Sequence, residues 1–156
     1  MCAILDADVA GEVFGAKRTP AGRQFFEWLE TPGARLVVGG KLYRELVRNA
    51  AFERWVVTAL ADGRARREPA PKVDERAAAL EGNASLKSND AHVIALADIG
   101  GARILYSVDG DLRDDFTNAT LLSNPRGKLY PTGESPNADR HRHRLLGRTD
   151  LCPNRG

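Results

Sequence analysis

The sequence predicts an α/β fold in which helices flank a central, mostly parallel sheet in three layers. Short apolar runs, too brief for helices, occur at residues 3–5, 36–38 and 104–108, and each is followed by an acidic residue or by glycines. Segments with helical periodicity separate these runs along the chain. Because strands that alternate with helices pair in parallel and need cover on both faces, this order predicts a three-layer domain.

Helix boundaries are marked by capping residues and by prolines or glycines. Thr19 and Pro20 are suited to begin a helix over residues 20–29, which should end near Pro32-Gly33. Further helices are expected over residues 41–49, 51–61, 73–80 and 90–98. The helix over 51–61 has the clearest apolar stripe, so we expect it to pack on the core.

The chain is expected to contain one folded domain and a polar tail. Its 156 residues are the length of a single domain. We assign residues 1–130 to the domain and residues 131–156 to an Arg/His-rich C-terminal tail, in which the block from Asp139 to Arg144 lacks apolar residues. The sequence leaves open whether this tail is a disordered end or docks a partner.

Bulk composition restricts location more than function. The net charge of +2 is too small to indicate a nucleic-acid partner by itself. No stretch approaches the roughly 18 apolar residues of a membrane span, and the N-terminus lacks the features of a secretory signal. Cys2 and Cys152 match neither a metal-ligand spacing nor a disulfide framework. We expect a soluble, cytoplasmic, reduced protein with no membrane partner, and leave open whether the two cysteines pair.

Four acidic residues are expected to meet at one edge of the sheet. Asp6 and Asp109 each follow a predicted strand, whereas Glu45 and Asp90 lie in the early turns of predicted helices. In a parallel sheet with returning helices, the carboxyl ends of strands and the amino ends of helices share one edge. Two carboxylates about 4 Å apart repel by about 4 kcal/mol at an effective dielectric of about 20, so a bound cation would stabilise such a group.

The expected cation is Mg²⁺ or Mn²⁺, because carboxylate oxygens are hard ligands. Such an ion suits phosphate chemistry, since it activates water and neutralises charge on a leaving oxygen without a nucleophilic side chain. Each acid taken alone is more simply a strand-end or solvated helix residue. The set together predicts a metal site, with Asp8 and Ser107 as secondary candidates.

The residues around these acids resemble the motifs of PIN-domain ribonucleases, a family that includes toxins of bacterial toxin-antitoxin pairs. The resemblance covers residues 1–130, approximately, and rests on four short segments. These are Ile4-Leu5-Asp6-Ala7-Asp8 for the opening strand, Leu42 to Leu46 for a Glu-Leu pair, Asn89 to Ala97 for an Asp-Ala-x-x-x-Ala helix, and Tyr106 to Leu112 for a strand ending in Ser-x-Asp-x-Asp. The chain departs from the family at Gly39-Gly40, where many members have Ser or Thr, at the additional acid Asp8, and in its long tail.

The resemblance implies a PIN-like domain that hydrolyses RNA phosphodiester bonds with Mg²⁺ or Mn²⁺. It makes Asp6, Glu45, Asp90 and Asp109 the catalytic and metal-binding acids, with Asp111 as a further metal ligand. RNA would be the substrate, and an antitoxin protein and a second copy of the chain, forming a homodimer, are candidate partners. Basic side chains near the Glu45 helix and the third helix are candidate contacts to RNA phosphates: Lys41, Arg44 and Arg48, and also Arg64, Arg66 and Arg67.

Two other functions fit parts of the pattern. A catalytically inactive PIN-like module that binds RNA or protein would keep the fold and lose the chemistry. A haloacid dehalogenase-like phosphatase would use Asp6-Ala7-Asp8 and the acids of residues 110–115, but Ala10 replaces the expected Thr or Val. That second reading also leaves Glu45 and Asp90 without roles. Metal-dependent turnover separates the nuclease from the inactive module.

Overall fold

The sheet has five parallel strands in the part of the chain that the computed structural model describes, residues 1–152. Their order across the sheet is β3-β2-β1-β4-β5. The strands are β1 (Cys2–Leu5), β2 (Arg35–Gly39), β3 (Ala65–Glu68), β4 (Ile104–Tyr106) and β5 (Lys128–Leu129). Every neighbouring pair is parallel, which confirms the predicted α/β class with a central parallel sheet flanked by helices.

Helices account for most of the remaining structure. They are α1 (Ala10–Phe14), α2 (Pro20–Leu29), α3 (Gly40–Leu46), α4 (Ala50–Asp62), α5 (Ala70–Glu81), α6 (Ala91–Gly100), α7 (Gly110–Phe116) and α8 (Pro136–Leu146). The helices predicted from periodicity are α2 to α6, with ends that differ by up to three residues. The cap predicted at Thr19 is present, since its Oγ1 accepts a hydrogen bond from the Gly22 N–H at 3.0 Å.

The core is built around β1 and α6. Residues 91–97 of α6 are buried without interruption, and this helix packs on α3 and α5 against β2 and β3. A second group consists of α1 packed on both α2 and α4. None of the helices in residues 1–152 combines the length and apolar character needed to cross a membrane.

Strand β3 was not predicted, because its sequence Ala-Arg-Arg-Glu has no apolar run. It pairs with β2 as an edge strand, with Ala65 and Glu68 buried. Arg66 and Arg67, named above as candidate contacts to RNA phosphates, both lie in this strand. Arg66 pairs with Glu68 at 3.1 Å, and the Arg67 guanidinium lies 4.0 Å from the centre of the Tyr43 ring. Both arginines therefore have structural neighbours.

The segment that we described as a polar tail contains α8, which packs against α2. Arg142 is only 2% exposed, and its guanidinium donates to Gln24 Oε1 at 2.5 Å and to the Gly133 carbonyl at 2.6 Å. The buried charge is thereby matched by hydrogen bonds. The last four tail residues, 153–156, lie outside the described residues.

Cys2 and Cys152 form a disulfide, although we expected a reduced protein. The sequence left their pairing open because they are 150 residues apart. They meet because β1 begins in the core and Leu151, which precedes Cys152, is fully buried and accepts a hydrogen bond from the Arg103 N–H at 3.0 Å. The disulfide ties the C-terminal segment to the first strand.

Candidate acidic site

Asp6 is the most fixed of the predicted acids. It follows β1, is 7% exposed, and continues the pairing with β4 through a 2.9 Å hydrogen bond from its N–H to the Tyr106 carbonyl. The Ser107 hydroxyl donates to Asp6 Oδ2 at 2.8 Å. Ser107, a secondary candidate from the sequence, therefore orients a carboxylate here.

Asp109 shares the same serine. Its N–H donates to Ser107 Oγ at 3.1 Å, so one buried hydroxyl connects two of the acids. Asp109 also caps α7, because its Oδ1 accepts from the N–H groups of Asp111 and Leu112 at 3.0 and 3.3 Å. Its second oxygen makes no hydrogen bond among residues 1–152 and is available to a ligand.

Asp90 stands at the N-terminus of α6, half-buried. Its N–H donates to Ser88 Oγ at 3.2 Å, and its carbonyl accepts from the Val93 N–H at 2.9 Å. No hydrogen bond to its carboxylate is found in the described part of the chain. The carboxylate is therefore free to bind a ligand at the helix start.

Glu45 is held by a histidine that the sequence analysis did not single out. Its Oε1 lies 3.0 Å from Nε2 of His92, which is 6% exposed on α6. The pair ties α3 to α6 close to Asp90. The available signal was one histidine within the otherwise apolar run of residues 91–97, where a buried polar side chain needs a partner.

The backbone conformation at the start of α3 requires a glycine. Gly40 has a φ of +57°, and a Cβ there would lie 3.0 Å from Val73 Cγ1. A Ser or Thr, as found in many PIN-domain proteins, would be strained at this position. The glycine thus lets α3 begin directly at the end of β2 and carry Glu45 to the edge.

The electrostatics of Asp6 show that the acids act on one another. Burial raises the pKa of Asp6 above its ordinary value, and the charges of Asp8 and Asp90 raise it further, although the hydrogen bond from Ser107 opposes the shift. Asp8 is exposed and follows the 7% exposed Asp6 by two residues. The sequence analysis named Asp8 only a secondary candidate, but its charge acts on Asp6 in the same way as that of Asp90.

Asp90 has a similar environment. Burial raises its pKa, and the carboxylates of Asp109, Glu45 and Asp8 add to the shift, whereas His92 opposes it. Asp90 is thus the residue on which the charges of the other segments converge. Ionised together, these groups repel and destabilise the site unless a cation is bound.

Two features expected of the site, a set of metal ligands and a ligand role for Asp111, stay predictions. No group of three or more His, Cys, Asp or Glu side chains in residues 1–152 is arranged to hold a metal ion. The acids share an edge without forming a preformed set of ligands. Asp111, predicted as a further ligand, is exposed on the first turn of α7, and its carboxylate has no hydrogen-bond partner in the same range.

The predicted RNA contacts lie at the surface. Lys41, Arg44 and Arg48 are exposed on or just after α3, the helix that carries Glu45. None of the three forms an ion pair with a residue of the described chain. Their charges are therefore available to a phosphate backbone.

Searches of protein-family models, of curated proteins and of solved structures each gave no match to this chain. The likeness to PIN-domain ribonucleases thus rests on its sequence motifs.

Proposed function

We propose that the chain is a divalent-metal-dependent ribonuclease that hydrolyses RNA phosphodiester bonds at this acidic edge. The observation that carries the proposal is geometric: Ser107 connects Asp6 with Asp109, and Glu45 is bonded to His92, two residues from Asp90. Burial raises the pKa of Asp90, and the charges of Asp109, Glu45 and Asp8 add to the shift. A fold gains nothing in stability from mutually repelling carboxylates, so their presence at one edge favours a cation-binding role. Functional sites commonly hold such perturbed groups.

The four acids would hold Mg²⁺ or Mn²⁺, with Asp6 as the best-positioned ligand and Asp90 as the most available. Carboxylates alone fit a hard cation, but those of residues 1–152 are not arranged as a ligand set, so side chains would have to move to share one ion. A bound ion would stabilise negative charge on the phosphate and activate water. The protein's own part is to orient Asp6 and Asp109 through Ser107 and to hold Glu45 through His92.

RNA would approach across α3. Lys41, Arg44 and Arg48 carry unpaired positive charge beside Glu45, so phosphates bound there would place the chain next to the acids. As a toxin of a toxin-antitoxin pair, the protein would be inhibited by an antitoxin protein and would act on cellular RNA, alone or as a homodimer. Growth arrest on expression, absent for Asp6→Asn, tests the toxin role.

A cytoplasmic location is part of this proposal and conflicts with a permanently closed disulfide. Reductants of the cytosol keep most cysteines as reduced thiols. We expect Cys2 and Cys152 to be thiols in the cell and to pair after purification in air. Alkylation of thiols in fresh lysate tests this, and protection of both cysteines would argue for an oxidising compartment.

The second candidate function is a non-catalytic binding module for RNA or protein. It is favoured by the absence, in residues 1–152, of a side-chain group already arranged to hold a metal. Such a module would bind RNA through the basic residues of α3 without turnover. Its RNA affinity would not depend on divalent cations.

RNA cleavage by the purified full chain tests the proposal. Structured and single-stranded RNAs are incubated with Mn²⁺, with Mg²⁺ and with chelator. Asp6→Asn and Asp90→Asn are compared with Asp98→Asn, a matched control at the far end of α6 whose carboxylate pairs with Arg76 at 2.9 Å. Cleavage lost in the first two variants and kept in the control supports the nuclease. Metal-independent RNA binding without cleavage supports the module.

A further inference from the structure

Asp115 is a buried acid outside the predicted site. It lies near the end of α7 and is 1% exposed. Its Oδ1 accepts from the Lys87 N–H at 2.9 Å and its Oδ2 accepts from the Ser88 N–H at 2.8 Å. Burial of a carboxylate is costly without such bonds. Both oxygens are therefore committed to one short stretch of backbone, 27 or 28 residues away in sequence.

The stretch that Asp115 holds leads directly to Asp90. Ser88 is 9% exposed, and its Oγ accepts from the Asp90 N–H at 3.2 Å. A continuous path thus runs from the Asp115 carboxylate through Ser88 to the backbone of Asp90. Each step is a hydrogen bond between buried or half-buried groups, which favours a fixed geometry.

Helix α7 connects this path to a second acid of the site. Asp109 caps the amino end of α7, and Asp115 lies six residues further along the chain, a rise of about 9 Å in a helix. Leu112 and Phe116 of α7 are fully buried and anchor the helix in the core. The helix is therefore a rigid connection between Asp109 and the segment that precedes Asp90.

We propose that Asp115 is a positioning residue that holds Asp90 in place relative to Asp109. The inference rests on the proposed metal site for its functional meaning. Asp114, the sequence neighbour, reaches the same segment only through Lys87 Nζ at 3.2 Å, with both side chains more than 60% exposed. An exposed pair of this kind contributes little. Asp114 is thus a matched control for Asp115.

The test compares Asp115→Asn with Asp114→Asn in the full chain. The amide of Asn has one oxygen, so it can accept from one of the two N–H groups and leaves the other unsatisfied. Binding of Mn²⁺ is measured by electron paramagnetic resonance of the free ion, well below the unfolding temperature of each variant. Amide hydrogen exchange of residues 87–90 is measured on the same samples.

We expect Asp115→Asn to weaken Mn²⁺ binding by about 10-fold to 100-fold, as loss of a supporting hydrogen bond does at metal sites. Exchange at Lys87 and Ser88 should become faster, whereas Asp114→Asn should change neither quantity. Ser88→Ala, which cuts only the last step, should weaken Mn²⁺ binding too and serves if Asp115→Asn does not fold. Unchanged Mn²⁺ affinity in folded Asp115→Asn, even with a lower Tm, would overturn the inference.

Failure of the proposed function has a different result. If the wild-type chain does not bind Mn²⁺, the metal site is wrong, and hydrogen exchange alone decides the role of Asp115. Faster exchange through Asp90 in Asp115→Asn and Ser88→Ala would retain Asp115 as the residue that holds Asp90. Exchange equal to that of Asp114→Asn would refute it.

Discussion

Opening the Cys2–Cys152 disulfide should lower the stability of the protein substantially. The bond closes a loop with a sequence separation of 150 residues. For a loop of that length the chain-entropy model gives about 5 kcal/mol of stabilisation, acting through the unfolded state. With a shift of about 2–4 °C per kcal/mol for a chain of this size, reduction should lower Tm by about 10–20 °C.

The reduced protein should remain folded, because other contacts hold the C-terminal segment. Arg142 keeps its hydrogen bonds to α2 and the 131–133 segment, and Leu145, Leu146 and Leu151 stay packed in the core. Thermal unfolding is followed by circular dichroism with and without a thiol reductant. Cys152→Ser provides the control, because it should have the Tm of the reduced wild type and should not respond to reductant.

The reasoning would be refuted by a Tm that changes by less than about 2 °C on reduction. The usual loss of about 2–5 kcal/mol for a native disulfide corresponds to a fall in Tm of at least about 4 °C in a chain of this size. It would also be refuted if thiol titration found two free thiols in the air-oxidised protein.

Other predictions concern the charged site and the junction of α1 with α2. Asp90→Asn should raise Tm at pH 8 without metal, by about 2–4 °C for each kcal/mol of stability gained. Burial and neighbouring carboxylates raise the pKa of Asp90, so its ionised form destabilises the fold as pH rises. The gain should disappear at about pH 3, where the carboxyl is protonated in the folded and the unfolded state, and a lower Tm of the variant at pH 8 would contradict this. Gly22→Ala should lower the free energy of unfolding in urea by about 1–3 kcal/mol, because a Cβ there would lie 1.9 Å from the Glu12 carbonyl oxygen. Gly11→Ala is the control and should cause no such loss, because a Cβ at Gly11 has no atom within 4 Å. Equal stabilities of the two variants would refute the packing argument. Thr19→Ala should lower the free energy of unfolding by about 1 kcal/mol, because the helix cap is lost. Thr19→Ser keeps a capping hydroxyl, so a Ser variant no more stable than the Ala variant would argue against this.

The fold class was predictable because the inner strands of the sheet coincide with apolar runs in the sequence. β1 and β4, which pair at the centre of the sheet, are fully buried and have no polar residue to interrupt the pattern. β3 was missed because Ala-Arg-Arg-Glu has no apolar run, and Glu68 is the one charged residue of the strand that is buried. At this edge, pairing with β2 outweighs the intrinsic preference of the residues. α8 was missed because its buried face includes Arg142. In sequence an arginine indicates solvated surface, and only the structure shows that this one is bonded to Gln24.

The positions of the site acids followed from topology, but their partners did not. Asp6 and Asp109 could be placed because both follow strands of a parallel sheet. Their shared contact with Ser107, the pairing of His92 with Glu45, and the bonds of Asp115 depend on side-chain geometry between segments far apart in sequence. Spacing alone carries no information on such contacts. The absence of a preformed ligand set in residues 1–152 is likewise visible only in three dimensions.

Calorimetric titration of the purified chain with Mn²⁺ tests the central claim, that Asp6, Glu45, Asp90 and Asp109 bind a divalent metal, most directly. Wild type and Asp98→Asn should bind the ion alike, because Asp98 lies at the other end of α6 and pairs with Arg76. Asp6→Asn and Asp90→Asn should each weaken binding by at least about 10-fold. Absence of binding to the wild type, or equal binding by all the variants, would contradict the claim.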